Sequence, residues 1–318
     1  MRQLRKIIFT IVLIHVLPMH ARAQEHLWQS LNLQIVTLHR EGRVSEATEV
    51  AIEALKVAEA TFGPDDPHVA NSLNTLAILY HSRGKYDQAE PLYRRALAIR
   101  QKALGPVHRL VASSLNNLAA LYKEQGKYAK AESLYRQALT IDGQVLGKDH
   151  PDVATDLNNL AVLYEAQRKY AEAVPLYLRA REILEDAFGK NHPQVATILN
   201  NLAALYEDQG QQAEAEALYK RALAIHEQVL GTDHPTVAAD LDNLAHLYES
   251  QGKNAEAALL YERALPIQEK TLGPDHPTVA AMLEKMAAVY KEAGRKDEAK
   301  KLEERVMQIR SKSKVMTH

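Results

Sequence analysis

The chain has 318 residues, a formal net charge of −1, 46% hydrophobic residues and 25% charged residues. Those proportions suit a soluble folded protein and supply no global basic field for nucleic acid. Cysteine is absent, so an oxidising compartment can neither staple nor scramble the fold.

In chain order, the first segment stands apart. Arg2, Arg5 and Lys6 give a positive start, Ile7 to Leu17 an apolar stretch, and Ala21-Arg22-Ala23 a small-residue cleavage site. Those are the three parts of a secretory signal, and the apolar stretch is too short for an ordinary membrane span. Residues 1–23 are therefore expected to be a signal peptide cleaved before Gln24. The mature chain would then be periplasmic or secreted and carry no membrane span. The alternative is an uncleaved N-terminal anchor.

Beyond that segment the chain repeats. Gly63, Gly105, Gly147, Gly189, Gly231 and Gly273 recur every 42 residues. A fixed period of this size marks stacked structural units, which overrides the two-domain expectation from length. Within the unit after Gly63, Asp66-Pro67 suits a helix start. Val69, Leu73, Leu76, Ala77 and Tyr80 then recur at helical spacing, and Gly84 ends the helix. A second helix carries Ala89, Leu92, Tyr93, Ala96 and Leu97 on one face and runs into Gly105. Arg168 takes the place of the helix-ending glycine in one copy, at a small cost if that position needs positive φ.

Small residues recur in phase as Ala47, Ala89, Ala131, Ala173, Ala215, Ala257 and Ala299, and again as Ala77, Ala119, Ala161, Ala203, Ala245 and Ala287. They predict close helix contacts. All 14 tyrosines fall at three repeat positions, which favours core packing over an aromatic track for a ligand. The units are expected at about 24–63, 64–105, 106–147, 148–189, 190–231, 232–273 and 274–310, with residues 311–318 a solvated, disordered tail. This makes seven helix pairs, the last more polar because an end unit has an uncovered face.

The motifs Leu-Asn-Asn-Leu-Ala-x-Leu-Tyr at Leu115–Tyr122 and Leu199–Tyr206, with Asp-His-Pro-x-Val-Ala and Gly-Lys-Tyr-x-x-Ala-Glu, resemble the tetratricopeptide repeat family. Their 42-residue form is similar to the kinesin light chain subfamily. The resemblance implies an all-α, right-handed superhelical solenoid of helix-turn-helix repeats. It also implies a concave groove, lined by the first helix of each pair, that holds a peptide or protein segment.

Asparagines in such grooves contact peptide backbone, and helix geometry supports the transfer. Asn117 lies roughly 150° from the mean direction of the buried stripe and Asn116 roughly 110°. The matching positions here are Asn74, Asn116, Asn117, Asn158, Asn159, Asn200, Asn201, Asp242 and Asn243. The competing reading is that these amides bond across neighbouring first helices and fix the superhelix. Glu165, Glu207 and Glu249, on the same face, would make a groove segment preferring a ligand with Lys or Arg; as solvated helix ends they would do nothing of the kind.

His108, His150, His192, His234 and His276 share one repeat position. Stacked helices lie about 8–10 Å apart, too far for adjacent copies to share one zinc, so a turn-and-cap role is expected. No nucleophile elbow, phosphate-cradling loop or metalloprotease helix motif occurs. The expectation is a non-enzymatic interaction scaffold without catalytic residues, metal or cofactor, binding protein or peptide and no nucleic acid. The rivals are an architectural component of envelope or secreted assemblies and, remotely, a hydrolase.

Overall fold

A computed structural model describes residues 22–316, with side chains to residue 312. Most of the expected signal segment lies outside the described residues. Every regular element among the described residues is a helix. They are α1 (residues 22–40), α2 (Val44–Phe62), α3 (Pro67–Ser82), α4 (Tyr86–Leu104), α5 (Arg109–Glu124), α6 (Tyr128–Val145) and α7 (Pro151–Ala166). There follow α8 (Tyr170–Phe188), α9 (Pro193–Asp208), α10 (Gln212–Leu230), α11 (Pro235–Ser250), α12 (Asn254–Leu272), α13 (Pro277–Glu292) and α14 (Lys296–Met316). Odd-numbered helices are the first of each pair and even-numbered helices the second. No described helix is long and apolar enough to cross a membrane.

From α3 onward, the start of each first helix is built by one side chain. Asp66 Oδ1 accepts the backbone N–H of His68 at 2.8 Å. In later copies the imidazole Nδ1 does this: His108 accepts from Leu110 N at 3.1 Å, His150 from Asp152 N at 3.1 Å, and His234 and His276 from Thr236 N and Thr278 N at 3.2 Å. These rings satisfy helix-end donors, the work an N-cap does.

The end of α5 is a left-handed turn. Gly126 has φ 70°, Gly126 N donates to Lys123 O at 2.9 Å, and Lys127 N to Tyr122 O at 2.8 Å. Arg168 adopts φ 58° and keeps the same pair of bonds, Arg168 N to Glu165 O at 2.8 Å and Lys169 N to Tyr164 O at 2.9 Å. The expected need for positive φ is met by an L-residue under strain.

The described residues form two compact units, divided inside α7 at Leu163/Tyr164. In the first, Leu31, Ile35, Leu38, Ala51 and Ala54 pack with Leu76 and Leu79. Trp28 closes this end: its indole N–H donates to Ser72 Oγ at 2.8 Å, and its ring meets Phe62 and His68 edge-on. In the second unit, Tyr219, Leu241, Ala245, Tyr261, Leu283 and Ala287 share one continuous core.

The alanines sit where close approach demands. All seven of the Ala47 series are 0% exposed. The Tyr93, Tyr135, Tyr177, Tyr219 and Tyr261 series is buried as expected. Tyr80 and Tyr206 are only half-buried. Tyr122 and Tyr248 give their hydroxyls to Glu90 and Glu216 at 2.8 and 3.1 Å, whereas the positions corresponding to those acids hold Thr48 and Val174 for Tyr80 and Tyr206.

The expected disordered tail is corrected in part: α14 continues to Met316. Arg310 pairs with Glu284 at 2.7 Å and Lys312 with Asp275 at 2.7 Å, holding the last turns against α13 and the loop before it.

Candidate ligand surface on the first helices

Every asparagine of the expected ladder is half-buried, because neighbouring first helices cover the flanks that an isolated helix would expose. The second residue of a pair reaches back one repeat. Asn117 Nδ2 donates to Asn74 Oδ1 at 2.9 Å, and Lys285 Nζ makes the same reach to Asp242 at 2.9 Å. The first residue reaches forward: Asn116 Nδ2 donates to Asp156 Oδ1 at 2.5 Å and Asn200 Nδ2 to Asp240 Oδ1 at 2.6 Å. Bonding across first helices, the competing reading of these amides, is thus a real part of their work. It does not use them up, since the buried Oδ1 atoms of Asn116 and Asn200 receive no donor from the protein.

Within the first unit, α5 and α7 leave a cleft of about 330 Å³ lined by Asn116, Asn117, Asn159, Asp142, Asp156 and Arg109, among others. Asn159 and Asn117 therefore border open space. Asp142 and Asp156 form its deep end and are 5% and 1% exposed. Burial pushes Asp156 up to about 7, with the charges of Asp142 and Asp152 adding to the rise and the Asn116 hydrogen bond opposing it. Asp142 is raised too, first by burial and then by Asp152.

The second unit solves the same register differently. His226 Nδ1 and Asp240 Oδ2 are 2.6 Å apart, and His226 Nε2 lies 3.3 Å from Pro193 O. Burial raises Asp240, and His226 and then Asn200 pull it back down. In the first unit Arg100 fills this register beside Ser114, donating to Ser114 Oγ at 2.7 Å and to Asn71 Oδ1 at 2.9 Å; burial lowers its pKa.

None of these register residues stands out in the sequence, although one signal exists. Arg100, Asp142, Leu184, His226 and Gln268 occupy a single 42-residue position, as do Ser114, Asp156, Ile198, Asp240 and Met282. Ionisable residues at positions that other copies fill with Leu184 and Ile198, both buried, mark an interior polar contact.

Two of the three glutamates expected to face a ligand, Glu165 and Glu207, have an internal partner. Glu165 accepts the Tyr177 hydroxyl at 2.7 Å and Glu207 that of Tyr219 at 3.2 Å. Glu207 also contacts His246 Nδ1 at 3.0 Å. At the third copy burial raises the pKa of Tyr261 and the Glu249 charge adds to the rise, while neither Tyr261 OH nor Glu249 Oε1 meets a hydrogen-bond partner at the distances found in the other two. A buried phenol needs an acceptor, and the carboxylate twelve residues earlier is the one within reach.

A profile of the tetratricopeptide repeat family matches residues 29–102, 80–144, 110–186, 153–228, 194–270 and 260–312, and the chain belongs to that family. Among solved structures it is similar to BtubC (BKLC) from P. vanneervenii, at 28% identity and a TM-score of 0.61 over 73% of this chain and 90% of that one. It is also similar to the nearly identical TPR-like repeats of a Podosopora anserina kinesin light chain, at 31% identity and a TM-score of 0.56 over 65% of this chain and 98% of that one. The apo form of RapI shares the fold at 15% identity, with a TM-score of 0.61 over 90% of this chain and 98% of that one. No curated protein matches the chain. Repeats of this family are generally scaffolds for protein–protein interaction.

Proposed function

We propose that this protein is a non-enzymatic adaptor that holds an extended peptide or protein segment against its first helices. One observation carries the reading: the amide oxygens of Asn116 and Asn200 are buried and lack donors, beside Asn117 and Asn201 on the same helices. A backbone N–H of a bound segment is the donor they need, and an orphaned buried acceptor is costly without one. A photoreactive phenylalanine at position 159 or 201, activated in the native cell, should give a discrete crosslinked partner identifiable by mass spectrometry. The same group on the second-helix face at position 98 should not. Equal labelling from both faces overturns the groove.

The architectural reading has its own support, since the terminal helices expose apolar side chains, Leu33 (70%) and Val36 (53%) on α1 and Met307 (64%) on α14. Concentration-dependent oligomers in sedimentation, abolished by Leu33→Glu plus Val36→Lys, would favour it.

We further propose that the chain is exported, on the strength of the charged, apolar and small-residue order of residues 1–23. Mass spectrometry of the native protein should find Gln24 first; an intact Met1 in the membrane fraction supports the anchor instead.

A further inference from the structure

Three buried oxygens gather at the cleft between α5 and α7 with no N–H donor from the protein, Asp142 Oδ1, Asp156 Oδ2 and Asn116 Oδ1, and the two carboxyl groups hydrogen-bond to each other. Both carboxyl groups are more than nine-tenths buried. Arg109 and Asp152 also line the cleft and pair with each other, Nη2 3.4 Å from Oδ2, with both side chains well exposed. Asp142 also lies in the last turn of α6, where the helix dipole disfavours negative charge.

Two other copies show how this register can be filled when its first-helix partner is polar. One repeat earlier it holds the guanidinium of Arg100, and two repeats later the imidazole of His226, each a donor supplied by the second helix. The Asn116–Asp156 bond reproduces the Asn200–Asp240 bond, so the first-helix half of the arrangement is conserved within the chain. Only the donor is replaced, by a second carboxyl group. A deep end made of acceptors alone calls for a group rich in donors and positive charge: an ammonium has three N–H donors and a guanidinium five. A space of 330 Å³, at the low end of ligand pockets (roughly 300–1,000 Å³), suits one side chain and not a whole cofactor.

We propose that this cleft receives a single lysine or arginine side chain of the bound segment, its charged head against the Asp142–Asp156 pair and its neighbouring backbone against Asn116, Asn117 and Asn159. The cleft thereby selects the ligand's chemistry, and the inference rests on the groove reading above. It moves the acidic recognition from Glu165 and Glu207, which accept tyrosine hydroxyls, to a carboxyl pair whose partners are each other and Asn116. Without such a side chain the two carboxyl groups hold each other by a hydrogen bond; Asp152, Arg109 and His150 are the other titratable or charged groups acting on the pair.

The test uses the full chain and capped pentapeptides Ala-Ala-Xaa-Ala-Ala with Xaa arginine, lysine or the uncharged norleucine, titrated by NMR. The arginine and lysine peptides should bind at least about tenfold more tightly than the norleucine peptide, as charge-assisted hydrogen bonds allow. That preference should vanish in Asp142→Asn plus Asp156→Asn. It should vanish as well in Asp142→His, which rebuilds the His226–Asp240 arrangement and fills the site from within. Melting curves establish that both variants fold, and the histidine variant has a folded precedent in the same chain. Equal binding of all three peptides, or a cation preference surviving in both variants, overturns the pocket. So does a response to calcium chloride with none to the peptides. Crosslinking from positions 159 and 201 does not depend on the carboxyl pair, so the groove reading stands or falls separately.

Discussion

At one repeat position the first unit places Asp142 against Asp156, and the second places His226 against Asp240. The backbone setting is the same: the second helix of one pair meets the first helix of the next, with an asparagine donating to the second acid in each case. In the second unit the buried acid has an imidazole partner at 2.6 Å, and the ring's other nitrogen lies 3.3 Å from Pro193 O. In the first unit its partner is a second acid, and burial drives Asp156 up to about 7. The difference teaches where this fold keeps its individuality. The invariant alanines hold the helices together whatever occupies the register, so the register is free to differ from copy to copy.

The largest effect should come from breaking the balanced pair. His226→Leu leaves Asp240 buried with Asn200 as its remaining partner, a change that typically costs about 3–5 kcal/mol. Denaturant unfolding at pH 7 measures it. A loss under about 1 kcal/mol would mean that the second unit does not depend on the pairing.

Replacing the unbalanced pair should have the opposite sign. Leu184 and Ile198 already fill this register in another copy, so Asp142→Leu plus Asp156→Ile has a packing precedent. Exchanging buried charges for apolar residues of similar volume commonly stabilises by about 1–4 kcal/mol. The pH dependence follows from the raised acid. Its folded-state pKa, about 7, lies above the unfolded value near 3.8, so the folded chain holds the extra proton between them. Wild-type stability from this group is therefore undiminished below about pH 4 and falls as the pH rises through 7. The gain in the double variant should be large at pH 8 and small at pH 4. A gain that is the same at both would remove the carboxyl pair as its cause.

Much of this was legible in the residues alone, for a definite reason. A side chain repeated every 42 residues is doing the same job each time, so Ala47 and its copies declared themselves buried and His108 and its copies declared a cap. The register was hidden by the same logic, because Arg100, Asp142, Leu184, His226 and Gln268 share no chemistry and a lone ionisable residue on a helix reads as surface. The glutamates misled for another reason. Their hydroxyl partners lie twelve residues on, across a turn whose geometry brings Glu165 and Tyr177 together only once the hairpin closes. The helical wheel placed Asn117 well off the core but was blind to Asn74 in the repeat before it.

The smallest effect compares the turns of the two units. Gly126 in the first and Arg168 in the second hold φ of 70° and 58° and make the same two backbone bonds. An L-residue pays roughly 1–2 kcal/mol in this region, while glycine gives some of that back through its more disordered unfolded state. Arg168→Gly should therefore stabilise by about 0.5–1 kcal/mol, read as a small rise in unfolding midpoint. Arg168→Ala should change little, since it keeps the Cβ that causes the strain. If alanine matched glycine, the arginine's charge near Tyr170 and not its backbone would be the source of the effect.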